Sequence, residues 1–122
     1  MAQKYIVNDI VMYKNRIHTI IDTLGLNNYE LYYIRHPVNR AELSGVPLTP
    51  EILEKNGWKD DGYDWYRLPT KRAYLYITKY ITTLGEFLVC VGLDRHNLAS
   101  INFVHQLQHL LFGLGLNSEM EV

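Results

Sequence analysis

His105 and His109, in the stretch HQLQH, have the spacing of a metal site. Histidines at positions i and i+4 of a helix can hold one zinc ion, and in H-E-x-x-H hydrolases the glutamate accepts a proton from the bound water. Gln106 occupies that glutamate position, and an amide cannot accept the proton. Glu119 and Glu121 follow, but neither has the spacing of a third ligand. We therefore predict a polar helix face without a metal, and keep a metal-dependent enzyme as a third hypothesis.

Other reactive side chains lack the neighbours that catalysis or metal binding needs. Cys90 lies in the apolar stretch LVCV, where desolvation disfavours the thiolate. Asp60, Asp61 and Asp64 have neither the spacing nor the distal glutamate of an EF-hand loop. The sequence also has no G-x-S-x-G motif and no phosphate-binding glycine loop. We therefore predict no enzyme activity, no catalytic residue and no cofactor.

A tyrosine-rich strand is the best candidate for a binding surface. Tyr74, Tyr76 and Tyr80 lie on one side of this strand and follow Lys71 and Arg72. Aromatic rings beside basic side chains can bind single-stranded nucleic acid by stacking and by charge. The favoured explanation is a tyrosine face covered by another element, with its hydroxyls at the rim. Nucleic-acid binding is the alternative.

Composition indicates one globular domain, residues 1–122. Hydrophobic residues make up 48% of the chain and charged residues 20%, which is typical of a folded protein. The formal net charge of −1 provides no global attraction to nucleic acid or to an acidic membrane. A single cysteine and the absence of a signal-peptide or membrane-spanning run predict a cytoplasmic protein.

The first third of the chain predicts antiparallel strands. Two β-prone runs, residues 10–13 and 16–22, flank the tight turn Lys14-Asn15 and form a hairpin. The turn residues GLNN then precede a third run, YELYYI, at residues 29–34. This pattern is typical of a small antiparallel sheet, SH3-like or a partly open barrel.

A short helix is predicted at residues 49–57. Thr49 is a good N-cap, Pro50 fits the first helical turn, and Gly57 can adopt the left-handed conformation that ends a helix. Beyond it, Asp61-Gly62 favours a hairpin turn, and two further strands are predicted to join near residues 84–85.

A second helix is predicted at residues 101–112, capped by Ser100. At 100° per residue, the apolar side is formed by Phe103, Val104, Leu107, Leu110 and Leu111. The opposite polar arc, predicted to face solvent or a partner, is formed by Asn102, His105, Gln106 and His109. Gln108 lies beside the apolar stripe, so we expect its amide to bond a buried backbone group.

The stretches PLTPEILEKNGW and FVHQLQHLLFGL resemble segments of small uncharacterised proteins encoded in Bacteroidetes genomes and their phages or mobile elements. In that family a β-rich opening leads to a P-L-T-x-E-x-L-x-x-N-G helix and then to a V-H-x-L-Q helix. The resemblance spans most of the chain. It implies a bacterial host or phage setting, with the virion as a further location, and it implies no activity or site residue.

Together these features predict an α+β protein whose small antiparallel sheet is covered by a short middle helix and a C-terminal helix. The expected function is non-catalytic: an interaction or accessory protein that binds a protein partner or forms a homo-oligomer. Nucleic-acid binding through the tyrosine strand is the first alternative, and a metal-dependent enzyme through His105 and His109 is the second.

Overall fold

The computed structural model describes residues 5–79 and 86–122. The chain divides into two compact units. The first combines Met1–Pro47 with Phe103–Met120, and the second combines Leu48–Asn102 with Glu121–Val122. Each unit has one antiparallel sheet and one α-helix, which agrees with the α+β prediction. The chain therefore has two sheets where the sequence predicted one.

The first unit contains a five-stranded sheet in the order β4-β3-β2-β1-β5. Its strands are β1 (Ile10–Tyr13), β2 (Arg16–Leu24), β3 (Asn28–Leu31), β4 (Val38–Asn39) and β5 (Leu43–Gly45). Lys14 and Asn15 both have positive φ angles, as a two-residue hairpin turn requires. The predicted hairpin is therefore confirmed. The third strand ends at Leu31, earlier than predicted, and Tyr33 beyond it has a φ of 70°.

Helix α2 (Val104–Gly113) packs against β1 in the same unit. It begins three residues later than predicted because Ile101 ends a strand of the second sheet. The helix is capped by its own first turn: the Phe103 backbone N–H donates to Gln106 Oε1 at 3.1 Å. Ser100, the predicted cap, lies within that strand.

The second unit begins with helix α1 (Pro50–Lys55). The Ile52 backbone N–H donates to Thr49 Oγ1 at 3.2 Å, and Gly57 has a φ of 89°, so the predicted cap and stop are confirmed. The sheet order is β10-β9-β8-β7-β6. These strands are β6 (Lys59–Gly62), β7 (Trp65–Pro69), β8 (Tyr74–Thr78), β9 (Phe87–Val91) and β10 (His96–Ile101).

The second sheet differs from the sequence prediction at its first turn. The turn between β6 and β7 is centred on Tyr63 and Asp64, which have positive φ angles, and not on the Asp61-Gly62 pair. Gly62 instead lies at a register shift at the end of β6. The predicted junction at residues 84–85 lies outside the described residues.

The barrel prediction is wrong. Within residues 5–79 and 86–122, the first sheet runs from edge strand β4 to edge strand β5 without closing, and so it is not an SH3-like barrel. The strands β4 and β5, which the pattern did not predict, widen this sheet instead. Each helix is assigned to its own unit, α2 with β1 and α1 with β6, whereas the sequence predicted one sheet for both helices.

Candidate functional site

Gln108 attaches α2 to the start of the first sheet. Its Oε1 accepts a hydrogen bond from the Ile10 backbone N–H at 2.9 Å, and its Nε2 donates to the Asn8 carbonyl at 2.9 Å and the Ser118 carbonyl at 3.2 Å. The side chain is buried. The prediction that this amide bonds a buried backbone group is therefore confirmed, and the bonds fix α2 against residues 8–10.

His109, one residue further along α2, is bonded to Asp9. Its Nε2 lies 2.7 Å from Asp9 Oδ2, and the Ile6 backbone N–H donates to the same oxygen at 2.8 Å. Asp9 is only 1% exposed. Burial raises the pKa of the Asp9 carboxyl, although the bonds from Ile6 and His109 act in the opposite direction. The carboxylate is therefore held in a site that hydrates it poorly.

The two oxygens of this carboxylate differ in their hydrogen bonds. Both bonds to Asp9 end on Oδ2, and within the described residues Oδ1 has no hydrogen-bond partner. In the described part of the chain, the buried side-chain polar atoms that lack both a partner and solvent contact are the two ring nitrogens of His105. Asp9 Oδ1 is not among them, so it keeps a small contact with solvent although the Asp9 side chain is only 2% exposed, and Asp9 lines a cleft.

His105 is buried, which corrects the predicted solvent-facing arc. Its exposure is 1%, its ring is stacked on Phe103 with centroids 5.7 Å apart, and the Tyr5 ring meets it edge-on at 5.0 Å. Burial, with a smaller effect from His109, lowers the pKa of His105 to about 4. The imidazole is therefore neutral at pH 7. Helical periodicity placed it away from the apolar stripe, but residues from outside the helix enclose that side as well.

Gly45 on β5 makes room for the buried ring. A Cβ atom at this position would lie 2.6 Å from Phe103 Cγ and 3.0 Å from His105 Cε1, closer than atoms in contact allow. The close approach of β5 to the start of α2 therefore depends on the missing side chain. Val104 continues the contact, since its backbone N–H donates to the Val46 carbonyl at 2.9 Å.

The cleft beside Asp9 has a volume of about 570 Å³. Its lining residues come from the N-terminal segment, β2, α2 and the C-terminal segment of the first unit: Ile6, Val7, Asn8, Asp9, Thr23, Gln108, Phe112 and Ser118. Three of them, Ile6, Val7 and Phe112, are exposed apolar side chains, and Phe112 is 67% exposed. An apolar rim thus surrounds a buried carboxylate.

The predicted polar arc is divided in the structure. Asn102 is exposed and precedes α2, Gln106 caps the helix, and His109 bonds Asp9. The rings of His105 and His109 are 5.8 Å apart. Within residues 5–79 and 86–122, no group of three His, Cys, Asp or Glu side chains is placed to hold a metal ion. The Nε2 atom of His109, a possible metal ligand in the sequence pattern, is hydrogen-bonded to Asp9.

The tyrosine strand, β8, is also divided. Tyr74 is 42% exposed, whereas Tyr76 is 6% exposed, and Tyr80 lies outside the described residues. Trp65 covers part of Tyr76 with an edge-on contact at 6.3 Å, and the Arg95 guanidinium lies 4.9 Å from the centre of the Tyr76 ring.

These residues belong to a larger group, here called the arginine–aromatic surface: Trp65, Arg67, Tyr74, Tyr76 and Arg95. Arg95 lies 4.2 Å from the centre of the Trp65 ring, and Arg67 lies 5.3 Å from that of Tyr74. Asp61 contacts both guanidinium groups, at 3.7 Å for Arg67 and 3.4 Å for Arg95. Lys71 and Arg72 line a neighbouring groove together with Tyr74. The surface therefore joins aromatic rings in edge-on and tilted contact to two cations, and Asp61 contacts both cations.

Sequence reasoning missed Asp9 and Arg95. Asp9 stands in the short N-terminal stretch IVNDI, and no local motif signals that it is buried. Arg95 lies in the turn after β9, with a φ of 51°. The dipeptide Asp94-Arg95 gives no indication of the rings beneath it. The signal that could have drawn attention to Asp9 is its isolation as the one acid in the first 21 residues.

Comparisons of the chain with protein-family models, with curated proteins and with solved structures give no match. The resemblance to small Bacteroidetes and phage proteins therefore stays a prediction. Within the part of the chain that the structure describes, neither helix combines the length and the apolar character needed to cross a bilayer.

Proposed function

We propose that this protein is a non-catalytic interaction protein that binds a linear segment of a protein partner in the cleft beside Asp9. The observation that carries the proposal is the exposure of Phe112, 67%, next to Ile6 and Val7 around one concave site. Contiguous exposed apolar side chains around a groove are typical of binding surfaces. Large aromatic side chains also contribute disproportionately to the energy of such interfaces.

The chemistry of the cleft supports binding more than catalysis. Its hydroxyl groups belong to Thr23 and Ser118. Of the bonds described above, that of His109 goes to Asp9 and none joins an imidazole to either hydroxyl. A nucleophile would need such a contact with a base. Cys90 lies in the second unit, where burial raises the pKa of its thiol.

A selection from a random peptide library tests this proposal. We expect enriched peptides that bind the wild-type chain and bind Phe112→Ser about tenfold or more weakly, because truncating a buried aromatic anchor costs upwards of about 1.4 kcal/mol. The matched control is Leu93→Ser, which changes a side chain that is 91% exposed in the second unit and should leave binding unchanged. Failure to enrich any peptide, or equal binding by Phe112→Ser, would contradict the proposal.

A second copy of the chain is the other protein partner that this surface could take. Sedimentation velocity between about 1 and 100 µM, the range of weak association, distinguishes the two. A dimer that Phe112→Ser dissociates and Leu93→Ser leaves intact would identify the partner as a second copy. A cytoplasmic or virion location, in a Bacteroidetes host or its phage, accompanies the proposal as an expectation from the resemblance.

Single-stranded nucleic acid is a second candidate, and the arginine–aromatic surface favours it. Arg67 beside Tyr74 and Arg95 beside Trp65 combine rings for base stacking with cations for phosphate. The burial of Tyr76 and the contacts of both arginines with Asp61 weigh against it. We therefore place it second to protein binding.

A further inference from the structure

Asp9 places a carboxylate at the cleft, and the described residues bond only one of its two oxygens. His109 and the Ile6 backbone N–H both bond Oδ2 of Asp9, whereas Oδ1 has no partner within the described residues and lies recessed in a side chain that is 2% exposed. Among residues 5–79 and 86–122, no lysine or arginine lines the cleft. A buried carboxylate that is hydrogen-bonded through one oxygen only favours a cation supplied from outside.

The rim of the cleft restricts the form of that cation. Ile6, Val7 and Phe112 are exposed and apolar, so a ligand that reaches Asp9 must pass between apolar side chains. A lysine side chain has an aliphatic stem that can contact such a rim, while its ammonium group reaches a polar floor. A small hydrated metal ion would gain nothing from these three residues.

The number of free oxygens decides between lysine and arginine. A guanidinium group binds a carboxylate best through two parallel bonds to both oxygens, but Oδ2 of Asp9 already accepts two hydrogen bonds. An ammonium group needs one strong acceptor and distributes its other protons among neighbouring acceptors. Thr23 and Ser118 line the same cleft, and their hydroxyl groups are the acceptors that we assign to the other ammonium protons.

We infer that the cleft beside Asp9 is a recognition site for the side chain of a lysine in the bound segment, with Asp9 Oδ1 contacting the ammonium group and Ile6, Val7 and Phe112 contacting the stem. This inference rests on the proposed function and adds the chemistry of the partner to it. It identifies Asp9 as the specificity-determining residue of the site and Phe112 as its apolar wall.

Three small probes test the inference without any peptide: n-butylammonium, n-butylguanidinium and 1-butanol, titrated into the ¹⁵N-labelled chain and followed by NMR. We expect saturable shifts of the amides of residues 6–9 and 109–112 with n-butylammonium. The other two probes should bind about tenfold or more weakly, as the loss of a charge-assisted hydrogen bond implies. Asp9→Asn should remove the preference, and Asp22→Asn, a change at an exposed acid on β2, should retain it.

Equal binding of the three probes, or an ammonium preference that survives in Asp9→Asn, would overturn the inference. The probe comparison on the wild-type chain decides the matter even if Asp9→Asn does not fold. The peptide selection separates this outcome from failure of the proposed function. Enriched peptides that lack lysine but depend on Phe112 would preserve protein binding and remove the lysine site. An ammonium preference without enriched peptides would preserve the ammonium site in the cleft and contradict binding of a protein segment.

Discussion

His109 Nε2 lies 2.7 Å from Asp9 Oδ2, although 100 positions separate the two residues in the chain. The contact joins the last turns of α2 to the segment that precedes β1. It also gives His109 a hydrogen-bond partner, whereas His105, one helical turn earlier, is enclosed by Tyr5 and Phe103 and has no hydrogen-bond partner on either ring nitrogen. Two histidines one helical turn apart therefore differ in environment: the first is enclosed by aromatic rings and the second is hydrogen-bonded to a carboxylate.

We predict that His105 makes the protein less stable in acid. Its pKa is about 4 in the folded chain, against 6.5 for an ordinary histidine, so between these values the unfolded chain binds a proton that the folded chain excludes. Stability attributable to this residue is lost as the pH falls from about 6.5 to 4, by about 2 to 3 kcal/mol in all. Urea unfolding of the wild type and of His105→Leu at pH 7 and pH 4.5 measures it.

The quantity to compare is the difference in unfolding free energy between the wild type and His105→Leu. Both chains contain Asp9, whose effect on stability has the opposite pH dependence. Its pKa is raised, so protonation of its carboxyl favours the folded chain as the pH falls toward the unfolded value. His105→Leu should be more stable than the wild type at pH 7, since it removes two unpaired polar atoms, and its advantage should grow at pH 4.5. His36→Leu, at an exposed position, is the control. An advantage that does not change with pH would refute this prediction.

Gln108→Leu should destabilise the chain by about 2 to 4 kcal/mol, because it leaves the Ile10 N–H and the Asn8 carbonyl without their partner. Gln108→Glu keeps an acceptor for Ile10 but places a carboxylate against the Asn8 and Ser118 carbonyls. It should therefore be destabilising at pH 7 and recover part of the loss when protonated. Denaturant unfolding measures both variants, and a loss below about 0.5 kcal/mol for Gln108→Leu, the range of ordinary surface changes, would show that the amide bonds contribute little.

Gly45→Ala should destabilise the chain by about 1 to 3 kcal/mol, as overpacking does, because the new methyl group would overlap the Phe103 ring. Gly113→Ala is the matched change in the same unit: a Cβ there meets no atom within 4 Å, and alanine favours the helix by up to about 1 kcal/mol. Thermal unfolding of the two variants should show shifts of opposite sign. A Gly45→Ala chain as stable as the wild type would mean that β5 can move away from α2.

Nucleic-acid binding by the arginine–aromatic surface makes a prediction about Asp61. Because Asp61 contacts both Arg67 and Arg95, Asp61→Asn should raise the affinity for a single-stranded oligonucleotide, while Tyr74→Ala should lower it by about tenfold, as the loss of one stacking contact does. Fluorescence anisotropy across a salt series measures both, since phosphate contacts weaken steeply with salt.

The control for this experiment is Tyr33→Ala, which removes a tyrosine that is exposed in the first unit and should not alter the affinity. If neither the wild type nor Asp61→Asn binds single-stranded DNA or RNA at low salt, the second candidate function is eliminated and the surface serves only to cover Tyr76.

Features that depend on neighbours within a few residues could be predicted from the sequence. The Thr49 cap, the left-handed Gly57 and the Lys14-Asn15 turn are backbone preferences, and the structure has each of them. The need of Gln108 for a partner was also evident, because a polar residue beside an apolar helical stripe must satisfy its amide when buried. These inferences succeeded because local conformational energies do not depend on distant packing.

Tertiary structure alone decided which polar residues are buried and what they contact. Helical periodicity placed His105 and His109 on one arc, but Tyr5 and Phe103 enclose the first ring and Asp9 bonds the second. Likewise, strand alternation placed Tyr74 and Tyr76 on one face. Tyr76 is buried and Tyr74 is exposed because Trp65 and Arg95 cover the Tyr76 ring. Burial is determined by groups far away in the chain, so the period of a helix or strand gives the direction of a side chain and not its surroundings.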